Sequence, residues 1–329
     1  MAAWQLARRP FRFRLPRALL HAQGALAERR GWVLRLEGPE GRLGWGEAAP
    51  LEAAELESQA WDHAWGALER ASRRPALDAL LPGLPPCLAF ALGAALAEAD
   101  GLVGAAAGGW RPAPASALLL PAGPPAAALR ALERPARILP GGGHQPRLTL
   151  KWKVAAHGLV QELAWLEELL EELPAGARLR LDANGGWGRR EAFTWAERLR
   201  GEARLEWLEQ PLPVADQEGL EQLAALVPVA LDESLRADPA LRRRWPGWQV
   251  RRPALEGDPR PLLAELEAGR PRWMVSTALE TGIGRRWVHH LAALQAAGPT
   301  PTAPGLAPGW TPAGPLFATD PAVVWGAAR

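Results

Sequence analysis

The chain has 329 residues, 48% of them hydrophobic and 22% charged, with a formal net charge of +2. That length carries one large domain or two ordinary ones, and the composition is that of a globular protein. No apolar run reaches the length of a membrane span, the N-terminal MAAWQLARRPFRFRLP lacks the apolar stretch of a signal peptide, and Cys87 is the lone cysteine, so a cytoplasmic protein without an internal disulfide is expected.

Residues 4–15 and 29–37 read as strands, and GPEGRLGWGEAAP (38–50) carries two turn signals around a short strand. Helical patterns follow at about 52–73 and 86–99. GLVGAAAGGWRPAPA (101–115), rich in Gly, Ala and Pro, reads as a domain boundary. Beyond it, short apolar runs alternate with amphipathic stretches. The predicted strands are SALLL (116–120), RLTLKWKV (147–154), RLRLDA (178–183), LEWLEQ (205–210), PVALDE (228–233), WQVRR (248–252) and RWMVSTA (272–278), with a weak last strand in PTAPGLA. Helices are expected over 124–134, 161–173, 190–200, 216–226, 259–268 and 285–297. Regular strand–helix alternation implies parallel strands, and about eight units imply a closed α/β barrel of the TIM type. The arginines alternate with acids, and no basic block is interleaved with stacking aromatics, so neither nucleic acid nor membrane is an expected partner.

Residue usage is skewed, which makes the rare residues informative. Tyrosine is absent, Asn184 is the sole asparagine, and all but two of the 38 Lys+Arg residues are arginine. The two lysines, Lys151 and Lys153, lie one residue apart on a predicted strand. Side chains two apart share a strand face, so both point one way and Trp152 the other. Three acids end the next three strands: Asp182 in RLRLDANGGW, Glu209 in LEWLEQPLP and Asp232 in VALDESL. Strand C-terminal ends form the catalytic mouth of a barrel. Asp in such a place is also a common helix N-cap. Three carboxylates in register, each followed by a turn, favour a shared divalent cation, because bare carboxylates repel one another and oxygen ligands suit a hard ion such as Mg²⁺.

The lysine pair falls one repeat earlier. A buried lysine beside another cation can serve as a base, which arginine cannot. Lys153 is therefore the candidate base and Lys151 the neighbouring charge, acting on a small-molecule carboxylate held at the metal. Asn184 either orients a ligand or serves as a turn residue tolerating positive φ.

The ordered set KWK, LRLDAN, EQP, ALDES and STALETGIG, with GWGEAAPL nearer the N-terminus, resembles the enolase superfamily in its muconate-lactonizing-enzyme-like branch. The resemblance implies a modified (β/α)₇β TIM-type barrel over residues 111–314, beneath an N-terminal α+β capping domain over 1–110 on which residues 315–329 pack. It also implies Mg²⁺ on Asp182, Glu209 and Asp232, with Lys153 removing a proton α to a carboxylate. The branch carries a second lysine before a proline on the sixth strand. Here the matching residue is Arg252, or Arg251 in a shifted alignment. Arginine cannot exchange a proton, which counts against N-acylamino acid racemase or dipeptide epimerase activity; these and a muconate-cycloisomerase-like reaction stand as the second choice behind a one-base syn dehydration. Arg180, Ser276, Thr277, Gly305 and Leu306 are expected substrate contacts, each with a structural role as its alternative.

Overall fold

The computed structural model describes residues 3–21, 24–120, 122–131 and 148–329. The first residue of the strand expected over 147–154 and the end of the helix expected over 124–134 lie outside them.

In chain order the first elements are β1 (Gln5–His21), β2 (Gly24–Glu37), β3 (Leu43–Ala48), α1 (Gln59–Arg70), α2 (Arg74–Leu80) and α3 (Pro86–Ala99). Next come β4 (Leu118–Leu120), α4 (Pro125–Ala131), β5 (Thr149–Lys153), α5 (Leu159–Glu172), β6 (Arg178–Asp182), α6 (Arg189–Leu199), β7 (Leu205–Glu209), α7 (Gln217–Ala224) and β8 (Val229–Leu231). The last are α8 (Glu233–Ala237), α9 (Leu241–Arg244), β9 (Trp248–Arg251), α10 (Pro259–Glu267), β10 (Trp273–Val275), α11 (Gly282–Ala296) and α12 (Pro321–Ala327). The strands form two sheets, one of three strands in the order β1-β2-β3 and one of seven in the order β10-β9-β8-β7-β6-β5-β4. The weak last strand reduces to one parallel bridge, Ser276 to Gly305. Its proline-rich sequence has few N–H groups to offer a ladder. The short helices α8 and α9 lack the length that gives a periodic pattern.

The chain packs as two compact units. One comprises residues up to Ala18, Ala27–Pro114 and Arg251–Arg329, and the other Leu19–Leu26 and Ala115–Val250. In the first, β3 runs antiparallel to β2, from Trp32 opposite Ala48 to Glu37 opposite Leu43. The GWGE sequence is more than a turn signal. A Cβ at Gly44 would lie 1.8 Å from the Ala95 carbonyl oxygen, and one at Gly46 2.0 Å from that of Ala91. Only glycine lets the strand approach α3 so closely. Helix α3 is itself apolar on nearly every side and buried accordingly.

In the second unit β4 to β8 are parallel neighbours, and Ala230 and Leu231 pair with Trp248 and Gln249 at the start of β9. Alternation along β5 sorts its side chains. Leu150 and Trp152 join a core with Leu166, Leu169, Leu181 and Trp195. Lys151 and Lys153 take the opposite face.

Candidate active site

Register brings the predicted residues together in the second unit. Lys153 pairs with Asp182 across β5–β6, and Asp182 with Glu209 across β6–β7. Glu209 pairs with Ala230, two residues before Asp232. Lys151, Lys153, Asp182, Asn184, Glu209 and Asp232 are all buried. The Lys151 ammonium donates to Glu209 Oε1 at 2.5 Å and lies 2.8 Å from Asp182 Oδ2. Lys153 Nζ donates to Asp182 Oδ2 at 2.6 Å and to Asn184 Oδ1 at 2.8 Å. The lysine ammoniums thus supply the counter-charge of these carboxylates. Among the described residues no group of three His, Cys, Asp or Glu stands as a ready metal cage.

The turns after these strands are closed by local polar contacts. Ala155, Asn184 and Gln210, each one or two residues past a strand end, have φ of 63°, 47° and 37°. After β5, the buried Glu162 accepts from the backbone N–H groups of Ala155, Ala156 and His157 at 2.9–3.1 Å. After β6, the Asn184 N–H donates to Asp182 Oδ1 at 3.1 Å, while its side-chain amide donates to Glu233 Oε1 at 3.0 Å. Asn184 is therefore both a left-handed turn residue and a polar link. After β7, the Gln210 amide oxygen accepts from the N–H groups of Asp232 and Ser234 at 3.2 and 3.0 Å. Its NH₂ donates to the Leu212 carbonyl and Ser234 Oγ at 2.9 and 2.7 Å. Glu162, Gln210 and Glu233 are the residues that sequence reasoning missed. The visible signal for two of them was a second polar residue directly after a predicted ligand, in EQP and DES.

The electrostatics follow from this packing. Burial works to raise the Asp182 carboxyl, but two ammoniums outweigh it and hold the group well below the usual range. Burial and the charge of Asp182 push Glu209 up, with Lys151 opposing. Burial, then Asp232 and Asp182, push Glu233 up to about 7.

Arg180 lies one layer below the carboxylates, opposite Lys151 and Trp207 in the ladders. It is fully buried, donates to Glu206 Oε2 at 2.7 Å and stacks over Trp207 at 4.2 Å. The remaining predicted contacts belong to the first unit. Arg251 ends β9 in an ion pair with Glu256 at 2.6 Å and stacks over Trp273 at 4.2 Å. Arg252 donates to the Thr277 carbonyl at 2.6 Å. Ser276 Oγ donates to the Gly305 carbonyl at 3.1 Å, and the Thr277 hydroxyl to Glu280 at 2.5 Å. Leu306 is buried against the hydrophobic core of that unit.

Residues 148–243 match the family described as Enolase C-terminal domain-like. The o-succinylbenzoate synthase of Thermosynechococcus vestitus is 36% identical over 299 residues, covering 88% of this chain and 87% of the relative. The chain belongs to the o-succinylbenzoate synthase family of the enolase superfamily. The family's enzyme from Pectobacterium atrosepticum is 31% identical over 81% of this chain and 79% of its own. The crystal structure of o-succinylbenzoate synthase from Thermosynechococcus elongatus BP-1, with magnesium in its active site, covers 99% of both chains at 30% identity and a TM-score of 0.76. An L-Ala-D/L-Glu epimerase from Bacillus subtilis shares the fold at 21% identity, 95% and 92% coverage and a TM-score of 0.70. No helix among the described residues is long and apolar enough to cross a membrane.

Proposed function

We propose that this enzyme dehydrates 2-succinyl-6-hydroxy-2,4-cyclohexadiene-1-carboxylate to 2-succinylbenzoate, a step of menaquinone or phylloquinone biosynthesis, in the cytoplasm and with Mg²⁺. The observation that carries this reading is the register of Lys153, Asp182 and Glu209, side by side on three neighbouring strands in a member of this family. Asp182, Glu209 and Asp232 offer the all-oxygen donor set a hard cation takes. Glu209 Oε2, buried and without a hydrogen-bond partner among the described residues, supports a cation there. These three would hold Mg²⁺, which supplies positive charge to the substrate carboxylate as its α-proton leaves.

The protein's own part is proton transfer. Lys153, as the free amine, takes the α-proton. The electron pair of that C–H bond forms the new ring double bond as the C–O bond at C6 breaks. Lys153 returns its proton to the departing hydroxide on the same face, and water leaves. Lys151 keeps a positive charge beside Glu209 throughout. An arginine at position 252 exchanges no proton, and a syn dehydration needs one base only. The test is turnover of the cyclohexadiene carboxylate by purified enzyme with Mg²⁺, after removal of the metal by a chelator, and after Mg²⁺ is added back. Turnover that is lost on chelation and restored by Mg²⁺ supports the reading; no turnover with metal present overturns it.

A further inference from the structure

The dehydration outlined above gives Glu233 no part, yet its carboxylate is one link from the base. Lys153 Nζ donates to Asn184 Oδ1 at 2.8 Å, and Asn184 Nδ2 donates to Glu233 Oε1 at 3.0 Å. The ends of this chain fix its direction. Asn184 turns its oxygen toward Lys153 and its NH₂ toward the Glu233 carboxyl oxygen, so the two partners together select one of the two amide orientations. The Asn184 backbone is pinned as well, by its N–H on Asp182 Oδ1 at 3.1 Å and a φ of 47°.

Stability does not account for Glu233. Its Oε2 is shielded from solvent and has no hydrogen-bond partner among the described residues. A carboxylate so placed costs folding energy. What it gains is control of one amide.

We infer that Glu233 is a positioning residue that, through Asn184, aims the Lys153 amine for proton transfer. This rests on Lys153 being the base. Replacing Glu233 by glutamine leaves shape but frees the Asn184 amide to turn, which presents NH₂ to Lys153 in a fraction of molecules and removes the acceptor that oriented the amine.

Because Asn184 is the only asparagine, selective ¹⁵N-asparagine labelling gives one side-chain amide signal pair in the NMR spectrum. In the unaltered enzyme one of the two protons is expected downfield and slow to exchange, as for an amide on a carboxylate. In Glu233→Gln that signature disappears, and kcat falls about ten- to a hundredfold with KM little changed, the scale on which outer partners of a site act. Glu233→Asp, which keeps the carboxylate, recovers part of both. Asn184→Ala cuts the link at its other end and gives the same kcat loss, with no further loss in the double variant. An unchanged amide signature in Glu233→Gln, or losses that add in the double variant, overturns the inference. Should Glu233→Gln not fold, Glu233→Asp and Asn184→Ala carry the comparison. If the unaltered enzyme does not turn over the cyclohexadiene carboxylate, the function proposed above fails, while the amide signature still decides whether Glu233 holds Asn184.

Discussion

Asp182 and Glu209 stand opposite each other on β6 and β7, yet they hold their protons with opposite strength. Asp182 lies within 2.8 Å of both lysine ammoniums, whereas Glu209 pairs with Lys151 and has the negative Asp182 beside it. A cation shared among the carboxylates answers the Glu209 imbalance most directly. On the proposed reading its placement depends on Gln210, whose amide uses both ends to tie β7 to the turn carrying Asp232. Gln210→Met, of similar size but without the amide, is expected to weaken Mg²⁺ binding about ten- to a hundredfold by titration calorimetry while circular dichroism is unchanged.

At the scale of elements, β5 faces two environments, and each is a separate requirement. Trp152 is fully buried, donates to the Gly123 carbonyl at 3.0 Å and packs edge-on against Trp195. Trp152→Ala is expected to cost about 3–5 kcal/mol in denaturant unfolding. In the other unit, the Glu47 carboxylate on β3 accepts from the Thr281 N–H and hydroxyl and from the Gly284 N–H, at the start of α11. A Cβ at Gly284 would come 2.8 Å from Glu47 Oε2. Burial pushes the Glu47 carboxyl up to about 7 despite these bonds. Its proton is therefore held more tightly in the folded chain than in the unfolded one. The associated stability is fully present below the ordinary glutamate range and is lost as pH rises through about 7. Relative to Glu47→Gln, the unaltered chain is expected to lose about 3 kcal/mol of unfolding free energy between pH 4 and pH 8. Equal pH slopes for the two proteins would contradict this assignment.

Across the molecule, what was legible in the sequence is what repeats. Strand–helix alternation located β4 to β10, and the spacing of Asp182, Glu209 and Asp232 by one repeat each marked a common end of the sheet. The lysine pair stood out because arginine is used everywhere else. Contacts that depend on which side chain reaches which neighbouring backbone leave no period, so Glu162, Gln210 and Glu233 stayed hidden. Arg180 shows the same limit. Its strand face was readable, but its partner Glu206 was not, since the ladder shifts register between Leu179 and Arg180. A ligand that binds only the folded chain stabilises it, so Mg²⁺ at about a hundred times its dissociation constant is expected to add about 2.7 kcal/mol to unfolding free energy. That increment should vanish in Asp232→Asn.

The central claim is that Lys153 moves the proton, and steady-state turnover of Lys153→Arg on the cyclohexadiene carboxylate with saturating Mg²⁺ tests it most directly. The charge and much of the side-chain length are kept, so circular dichroism and Mg²⁺ binding should stay close to those of the unaltered enzyme. The account expects kcat to fall by about a thousandfold or more, in the range that loss of a general base produces; turnover within about tenfold of the unaltered enzyme would contradict it.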